Sequence, residues 1–270
     1  MNDIIIIGSS PAGLSAAIAA KEAGMKTLVI THGMATNEDV IKEKASKYSF
    51  GIVDDKIIGL SGFEEIKLNG ILNEYSCKSL ILAMDAPEKE LDFDGIHSFR
   101  GNGISYCAAC DGFFYTDKKI AVLGYNDFMA HESAEIKELS DDVTILTNGK
   151  PLEISEDSRR IIQGIRVDDG KIKGFYGVDY LLGVVFESGR KEEFDGVFIA
   201  YGDATALEIS LKTGLLTEDD RIVTDENQCT NLPNIFAAGG CTGGTGMNTD
   251  VLSAGTKAAK SAINYLKSLV

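Results

Sequence analysis

The stretch that decides the fold is "DIIIIGSSPAGLSAAIAAKEAG", residues 3–24, followed at 26–31 by "KTLVIT". The four isoleucines form an unbroken apolar run, as expected of a strand buried on both faces. Gly8 ends the run. Pro11 stands near the start of a small-residue segment with helical spacing, and Gly24 stands just past its end, the usual placement of these residues at helix termini. "KTLVIT" is then the next strand, giving one βαβ unit with a glycine-containing turn between strand and helix.

The same grammar returns later. "KKIAVLG" (118–124) reads as a strand, "DFMAHESAEIKEL" (127–139) as an amphipathic helix and "DVTILT" (142–147) as a strand. Two βαβ openings in one chain predict two similar domains. Each opening is followed by a segment that alternates and breaks at Gly or Asn. These are "IIGLSGFEEIKLNGILNEYSCKSLILAM" (57–84) and a second meander from 164 to 202 that closes in "GVFIAYG". The terminal "NIFAAGG" strand and the helix "DVLSAGTKAAKSAINYL" complete the first domain better than the second. The sequence therefore predicts an α/β protein of two Rossmann-like three-layer domains, the second inserted into the first. The expected boundaries are 1–90 with 221–270 for the outer domain and 91–220 for the insert.

Bulk properties narrow the function. The chain has 270 residues and a formal net charge of -15, which disfavours nucleic acid and anionic membrane as partners. No apolar run is long enough to span a bilayer. "MNDIIIIGSS" lacks the basic start of a secretory signal. Five cysteines, an odd number, without such a signal suit a reducing cytoplasm, where a close pair is usually catalytic or metal-binding.

The first glycine loop, Gly8-Ser9-Ser10-Pro11-Ala12-Gly13, stands where a dinucleotide fingerprint belongs, because a helix N-terminus offers N–H groups and a positive dipole to a pyrophosphate. Gly8 permits the tight turn and Gly13 close helix–strand packing; Ser10 takes the place of the middle glycine. The second loop, Gly124-Tyr125-Asn126-Asp127-Phe128-Met129, keeps only its first glycine. No arginine follows the next strand to read a 2'-phosphate. This loop reads as architecture, not as a nicotinamide dinucleotide site.

The segment "GISYCAACDGFFY" (103–115) carries the other candidate chemistry. Cys107 and Cys110 have the C-x-x-C spacing at which a disulfide closes over one turn and a thiol pKa falls. Asp111, next in the chain, is suited to carry a proton to or from a thiolate. A zinc site would need two further ligands, and neither a second C-x-x-C nor a clustered histidine pair supplies them; no metal is expected. Two inert buried cysteines remain the plain alternative.

"CAACDGFFY", "IIGSSPAGLSAA" and "NIFAAGG…LSAGTKAA", in this order along most of the chain, resemble the low-molecular-weight thioredoxin reductase family. The resemblance implies a cytoplasmic homodimer in which the outer domain binds FAD and the insert carries the redox pair. Cys110 would face the flavin, Cys107 would attack the disulfide of thioredoxin or a similar dithiol protein, and Asp111 would give and take the proton. Gly8, Ser9, Ser10, Pro11, Ala12 and Gly13 would cradle the FAD pyrophosphate, with Ala83, Gly239 and Gly240 at further FAD-contact positions. The degraded second loop and Thr147-Asn148-Gly149, in place of a basic patch, resemble the pyridine-nucleotide-independent branch. That implies an electron source other than NADPH, with ferredoxin as the candidate and the basic residues Arg159, Arg160, Arg166, Lys171 and Lys173 as its candidate docking surface. The chain also departs from the family on the flavin side, at Ala83-Met84-Asp85, at Gly240 and at Asn248-Thr249-Asp250. A flavin-free dithiol redox sensor or binding protein on the same scaffold is the alternative reading, and a third keeps NADPH as reductant, bound in an altered way.

Overall fold

Ile4, Ile5, Ile6 and Ile7 are all buried, and they point alternately to two different apolar layers. That is why the run carries no polar residue: neither face of the strand meets water. In the computed structural model, which describes residues 1–31, 38–62, 64–84, 91, 93–201, 206–242 and 251–269, this strand is β1 (Asn2–Ile7). It is followed by α1 (Pro11–Glu22), β2 (Thr27–Thr31), α2 (Glu38–Tyr48), β3 (Gly51–Asp54), β4 (Ile57–Ser61), β5 (Ile66–Gly70) and β6 (Glu74–Leu82). Next come β7 (Ile104–Ser105), α3 (Ala108–Asp111), a 3-10 turn (Gly112–Tyr115), β8 (Ile120–Leu123), α4 (Asp127–Lys137), β9 (Val143–Leu146), α5 (Glu156–Ile161) and β10 (Arg166–Asp168). After these follow β11 (Ile172–Gly177), β12 (Leu181–Phe186), β13 (Lys191–Glu193) and β14 (Gly196–Ile199). The chain closes with α6 (Ala206–Thr213), β15 (Thr217–Glu218), β16 (Arg221–Ile222), β17 (Ile235–Ala237) and α7 (Val251–Ser268).

The chain divides into two units: Met1–Glu88 with Thr205–Val270, and Lys89–Ala204. The second boundary lies earlier than the 220/221 expected from the sequence. Ile209 and Leu215 join the apolar layer beneath the outer sheet, and α6 packs on β4 and β16, so residues 205–220 belong with the outer unit.

The outer unit is built on a seven-stranded sheet in the order β3-β2-β1-β6-β5-β4, with β17 also paired to β6. Strands β1, β2, β3, β6 and β17 are parallel; β4 and β5 run antiparallel as a meander. One long edge of β6 has two partners. Glu74–Cys77 pairs with β5, and Leu80–Leu82 pairs with β17. Helices α1, α2 and α7 cover one face of the sheet and the meander with α6 covers the other. The buried residues of α1 are Ala12, Gly13, Leu14, Ala16, Ala17 and Ala20, and all but Leu14 are small enough to let α7 lie close. Gly255 of α7 completes the approach, since a Cβ there would collide with the Ala12 carbonyl. Ser15 then donates across the contact to the Leu252 carbonyl at 2.8 Å.

The inserted unit has an all-parallel five-stranded sheet, β10-β9-β8-β14-β7, and a separate antiparallel sheet, β11-β12-β13. The sequence reading assigned residues 166–168 to the second meander. They instead extend the parallel sheet, because Arg166–Asp168 pairs with Thr144–Leu146 of β9. Among the described residues, no helix is long and apolar enough to cross a membrane.

Candidate active site

Strand β7 sits at the edge of the inserted sheet and pairs with β14 for two residues only. The chain then leaves the sheet through Tyr106 and turns into the four-residue α3. Cys107 is the N-cap of that helix, in an extended conformation, and its Sγ accepts the Cys110 N–H at 3.1 Å. Cys107 and Cys110 are joined by a disulfide with their Cα atoms 5.3 Å apart. Cys107 is only 2% exposed, whereas Cys110 is exposed.

Three side chains fix this turn. The Ser105 hydroxyl donates to the Asp111 carboxylate at 2.7 Å and accepts the Cys107 N–H at 3.1 Å. Glu132 of α4, itself 2% exposed, accepts the Ala108 N–H at 2.9 Å. Burial pushes the Tyr115 phenol up, and the negative charge of Asp111 adds to the shift. The sequence reading found Cys107, Cys110 and Asp111 and missed Ser105 and Glu132. Glu132 had a usable signal: helical spacing from Phe128 and Met129 to Ile136 puts it on the buried face of α4.

Beyond the pair, Phe113 and Phe114 are 78% and 70% exposed and meet edge to face at 6.4 Å. Beside them runs a groove of about 580 Å³ lined by residues that include Asn102, Phe114, Tyr115, Lys118, Tyr180 and Leu181.

In the outer unit, Gly8-Ser9-Ser10-Pro11-Ala12-Gly13 forms the turn from β1 into α1. Gly8 has φ +106°, and a Cβ there would strike the Ala83 carbonyl. At Gly13 a Cβ would strike the Gly8 carbonyl. The Ser10 hydroxyl donates to the Ala83 carbonyl at 2.8 Å and caps α1 by accepting the Gly13 N–H at 3.3 Å. Ser9 pairs with Thr31 at 2.9 Å. Gly239, φ +87°, brings the backbone after β17 to the same place, where an added Cβ would lie 3.1 Å from the Ala12 Cβ. Ala83 is fully buried beneath the loop, and Gly240 follows Gly239 at partial exposure. Only glycine fits at residues 8 and 13, and the turn sets backbone N–H groups at a helix N-terminus with the Ser9 and Ser10 hydroxyls beside them, which fits the pyrophosphate of FAD. Asp85 and Asn248-Thr249-Asp250 lie outside the described residues.

The corresponding loop of the inserted unit is tied to residues 153–155. Asn126 bridges to Glu153, Tyr125 accepts the Glu153 N–H at 2.8 Å, and Asp127 accepts the Ser155 N–H at 2.8 Å. Tyr125 packs edge-on against Tyr201 with ring centroids 5.0 Å apart. The fully buried Met129 occupies the space that a small residue leaves open in a dinucleotide fingerprint. Asn148, at the end of β9, has its side-chain oxygen committed to the Ile172 N–H at 2.7 Å.

The expected basic surface is neutralised where its arginines are paired. Arg159 and Arg160 face Glu156 and Asp157. Arg166 and Arg190 share Asp168 and Glu192 in one network, with the closest contacts at 2.7 Å. The remaining cysteines are passive. Burial pushes the Cys77 thiol up to about 12, burial also raises Cys229, and Cys241 is buried against the Leu82 and Ala238 carbonyls.

Comparison with known proteins identifies the family. Residues 2–262 match the model of the pyridine nucleotide-disulphide oxidoreductase family. The thioredoxin reductase of Peptoclostridium litorale is 32% identical over 281 residues, covering 88% of each chain. The atypical thioredoxin reductase TRi from Desulfovibrio vulgaris Hildenborough superposes with a TM-score of 0.91 at 32% identity over 99% of both chains. A ferredoxin-flavin thioredoxin reductase from Clostridium acetobutylicum has a TM-score of 0.70 at 25% identity, over 99% of this chain and 98% of its own. The chain belongs to the pyridine nucleotide-disulphide oxidoreductase family and is an oxidoreductase of the thioredoxin reductase type.

Proposed function

We propose that this protein is a flavin-dependent disulfide reductase that passes two electrons through Cys107–Cys110 to a thioredoxin-like protein disulfide, and that its electron source is a ferredoxin-class iron–sulfur protein instead of NADPH. The observation that carries the reading is the Cys107–Cys110 disulfide on an exposed turn, with Asp111 held beside it by Ser105. FAD, when bound, supplies the electron pair that opens this disulfide. Gly8 to Gly13, with Gly239, would hold its pyrophosphate.

Cys110 is the exposed member of the pair; Cys107, 2% exposed in the disulfide form, becomes accessible to a protein disulfide once the turn opens on reduction. In the reduced state the Cys110 N–H, directed at the Cys107 sulfur, favours Cys107 as the thiolate. Cys107 attacks one sulfur of the partner disulfide and forms a mixed disulfide; the other partner sulfur leaves as a thiolate and takes a proton. Cys110, deprotonated by Asp111, then attacks Cys107, which releases the second partner sulfur and restores the internal disulfide. The exposed Phe113 and Phe114 give a protein substrate an apolar surface beside the pair. A homodimer in the cytoplasm is part of the same proposal and rests on family likeness.

The Gly124–Asp127 loop, which keeps only the first glycine of a dinucleotide fingerprint and is bonded to residues 153–155, supports a donor other than NADPH. The test is a visible spectrum followed by anaerobic addition of NADH, NADPH and reduced ferredoxin in turn. Flavin absorbance that bleaches only with ferredoxin is the expected result. Bleaching by NADPH overturns the choice of donor. A protein that neither contains nor takes up FAD is instead a dithiol sensor or binding protein.

A further inference from the structure

Glu132 is a buried carboxylate that the steps above do not use. It stands on α4, the helix that follows the Gly124–Asp127 loop, which is bonded to residues 153–155. Its Oε2 accepts the N–H of Ala108, the residue bonded to Cys107. A backbone N–H at that place would otherwise be available to stabilise a thiolate, and a neighbouring anion disfavours one. Both effects act on the reduced pair and leave the neutral disulfide nearly untouched.

We propose that Glu132 is a positioning residue that sets the reducing power of the Cys107–Cys110 pair, by taking the Ala108 N–H and setting a negative charge against the Cys107 thiolate. The half-reaction is the loss of two electrons and one proton from the thiol–thiolate pair as the S–S bond forms; the electrons go to the partner disulfide. Destabilising the thiolate makes that loss easier. Other titratable groups at or beside the turn, among the described residues, include Asp111 on α3, held by Ser105, Tyr115 on the 3-10 turn, and His131, which precedes Glu132 on α4. The Cys110 N–H acts in the opposite direction and is unchanged in the variants below.

The inference rests on Cys107–Cys110 being the redox centre, and one experiment separates the two. Full-length wild type, Glu132→Gln and Glu132→Ala are equilibrated in glutathione buffers, and the fraction of disulfide is read by alkylation and mass spectrometry. The pH midpoint of ultraviolet thiolate absorbance is read on the reduced proteins. Glutamine keeps an oxygen for the Ala108 N–H, removes the charge and turns the other oxygen into an N–H donor. The expected result for Glu132→Gln is a roughly tenfold shift toward dithiol, equivalent to about 30 mV, and a thiolate midpoint lower by about one unit. Wild-type values for Glu132→Gln overturn the inference, and a change confined to Glu132→Ala reduces Glu132 to a structural clamp. A wild-type pair that does not exchange with glutathione overturns both the inference and the redox reading beneath it. If Glu132→Gln does not fold, carbon-13 glutamate in the wild type decides: the Glu132 carboxyl resonance must move as the thiol titrates, and a silent resonance overturns the coupling.

Discussion

The Ser105 hydroxyl sits between the Asp111 carboxylate, 2.7 Å away, and the Cys107 N–H, 3.1 Å away. Asp111 and the disulfide therefore share one anchor. Asp111→Asn is expected to lower turnover roughly 100-fold or more, the ordinary worth of a general acid–base group. Ser105→Ala, which leaves the carboxylate present but untied, should cost roughly tenfold and move the pH optimum. Turnover against pH with a disulfide substrate checks both. A Ser105→Ala protein with an unchanged profile denies the anchor any part in proton transfer.

The cradle in the outer unit makes a sharper demand on its first glycine. Gly8→Ala puts a methyl into the Ala83 carbonyl at a positive φ, so it should cost about 2 kcal/mol or more of stability and strip the protein of flavin. Gly24 also has positive φ, but a Cβ there meets open space. Gly24→Ala should cost only about 1–2 kcal/mol, the backbone penalty alone, and keep flavin content normal. Urea midpoints and the ratio of flavin to protein absorbance compare the two.

Alkaline pH should unfold the outer unit through one strand. Burial pushes the Cys77 thiol from 9.0 up to about 12. Burial, with the hydrogen bond to Asp55, pushes the Tyr75 phenol from 10.0 to about 12. Both folded values lie above the unfolded ones, so the folded state holds protons the unfolded chain releases. Stability is full below pH 9 and falls as pH climbs toward 12. Denaturant titrations across that range, compared with Cys77→Ala and Tyr75→Phe, should show a shallower fall in each variant.

Charge governs the approach of the donor. The chain carries -15 overall, and Arg166 and Arg190 are spent on Asp168 and Glu192. An acidic iron–sulfur donor is therefore repelled at long range. Its electron-transfer rate should rise several-fold as salt goes from about 20 to 200 mM, because the screening length shrinks below the approach distance. A rate that falls with salt locates a basic docking surface that these arginines do not provide.

Much of this was legible in the sequence because the signals were strong and local. The apolar run Ile4–Ile7, Pro11 near the helix start and Gly24 just past its end gave the first βαβ unit, and Cys107, Cys110 and Asp111 announced themselves by spacing. What escaped was set by tertiary contact. Helix α2 has a weak apolar stripe, and α6 is anchored to the outer unit only through residues such as Ile209 and Leu215. The short β10 looks like meander until β9 pairs with it. Ser105 reaches the Asp111 carboxylate and the Cys107 N–H within its own turn, and Glu132 reaches the Ala108 N–H from another helix; apolar periodicity and motif spacing encode neither polar contact.

The divided edge of β6 bears on how the protein is made. Leu80–Leu82 is synthesised early, but its partner Ile235–Ala237 leaves the ribosome only after the whole inserted unit. The insert has its own sheets and its own apolar core, so it can finish folding while the outer sheet waits with an apolar edge unpaired. An open edge of that kind invites strand addition from another nascent chain. Translation speed through the insert thus sets how long the protein stays vulnerable to aggregation, independently of how stable it becomes.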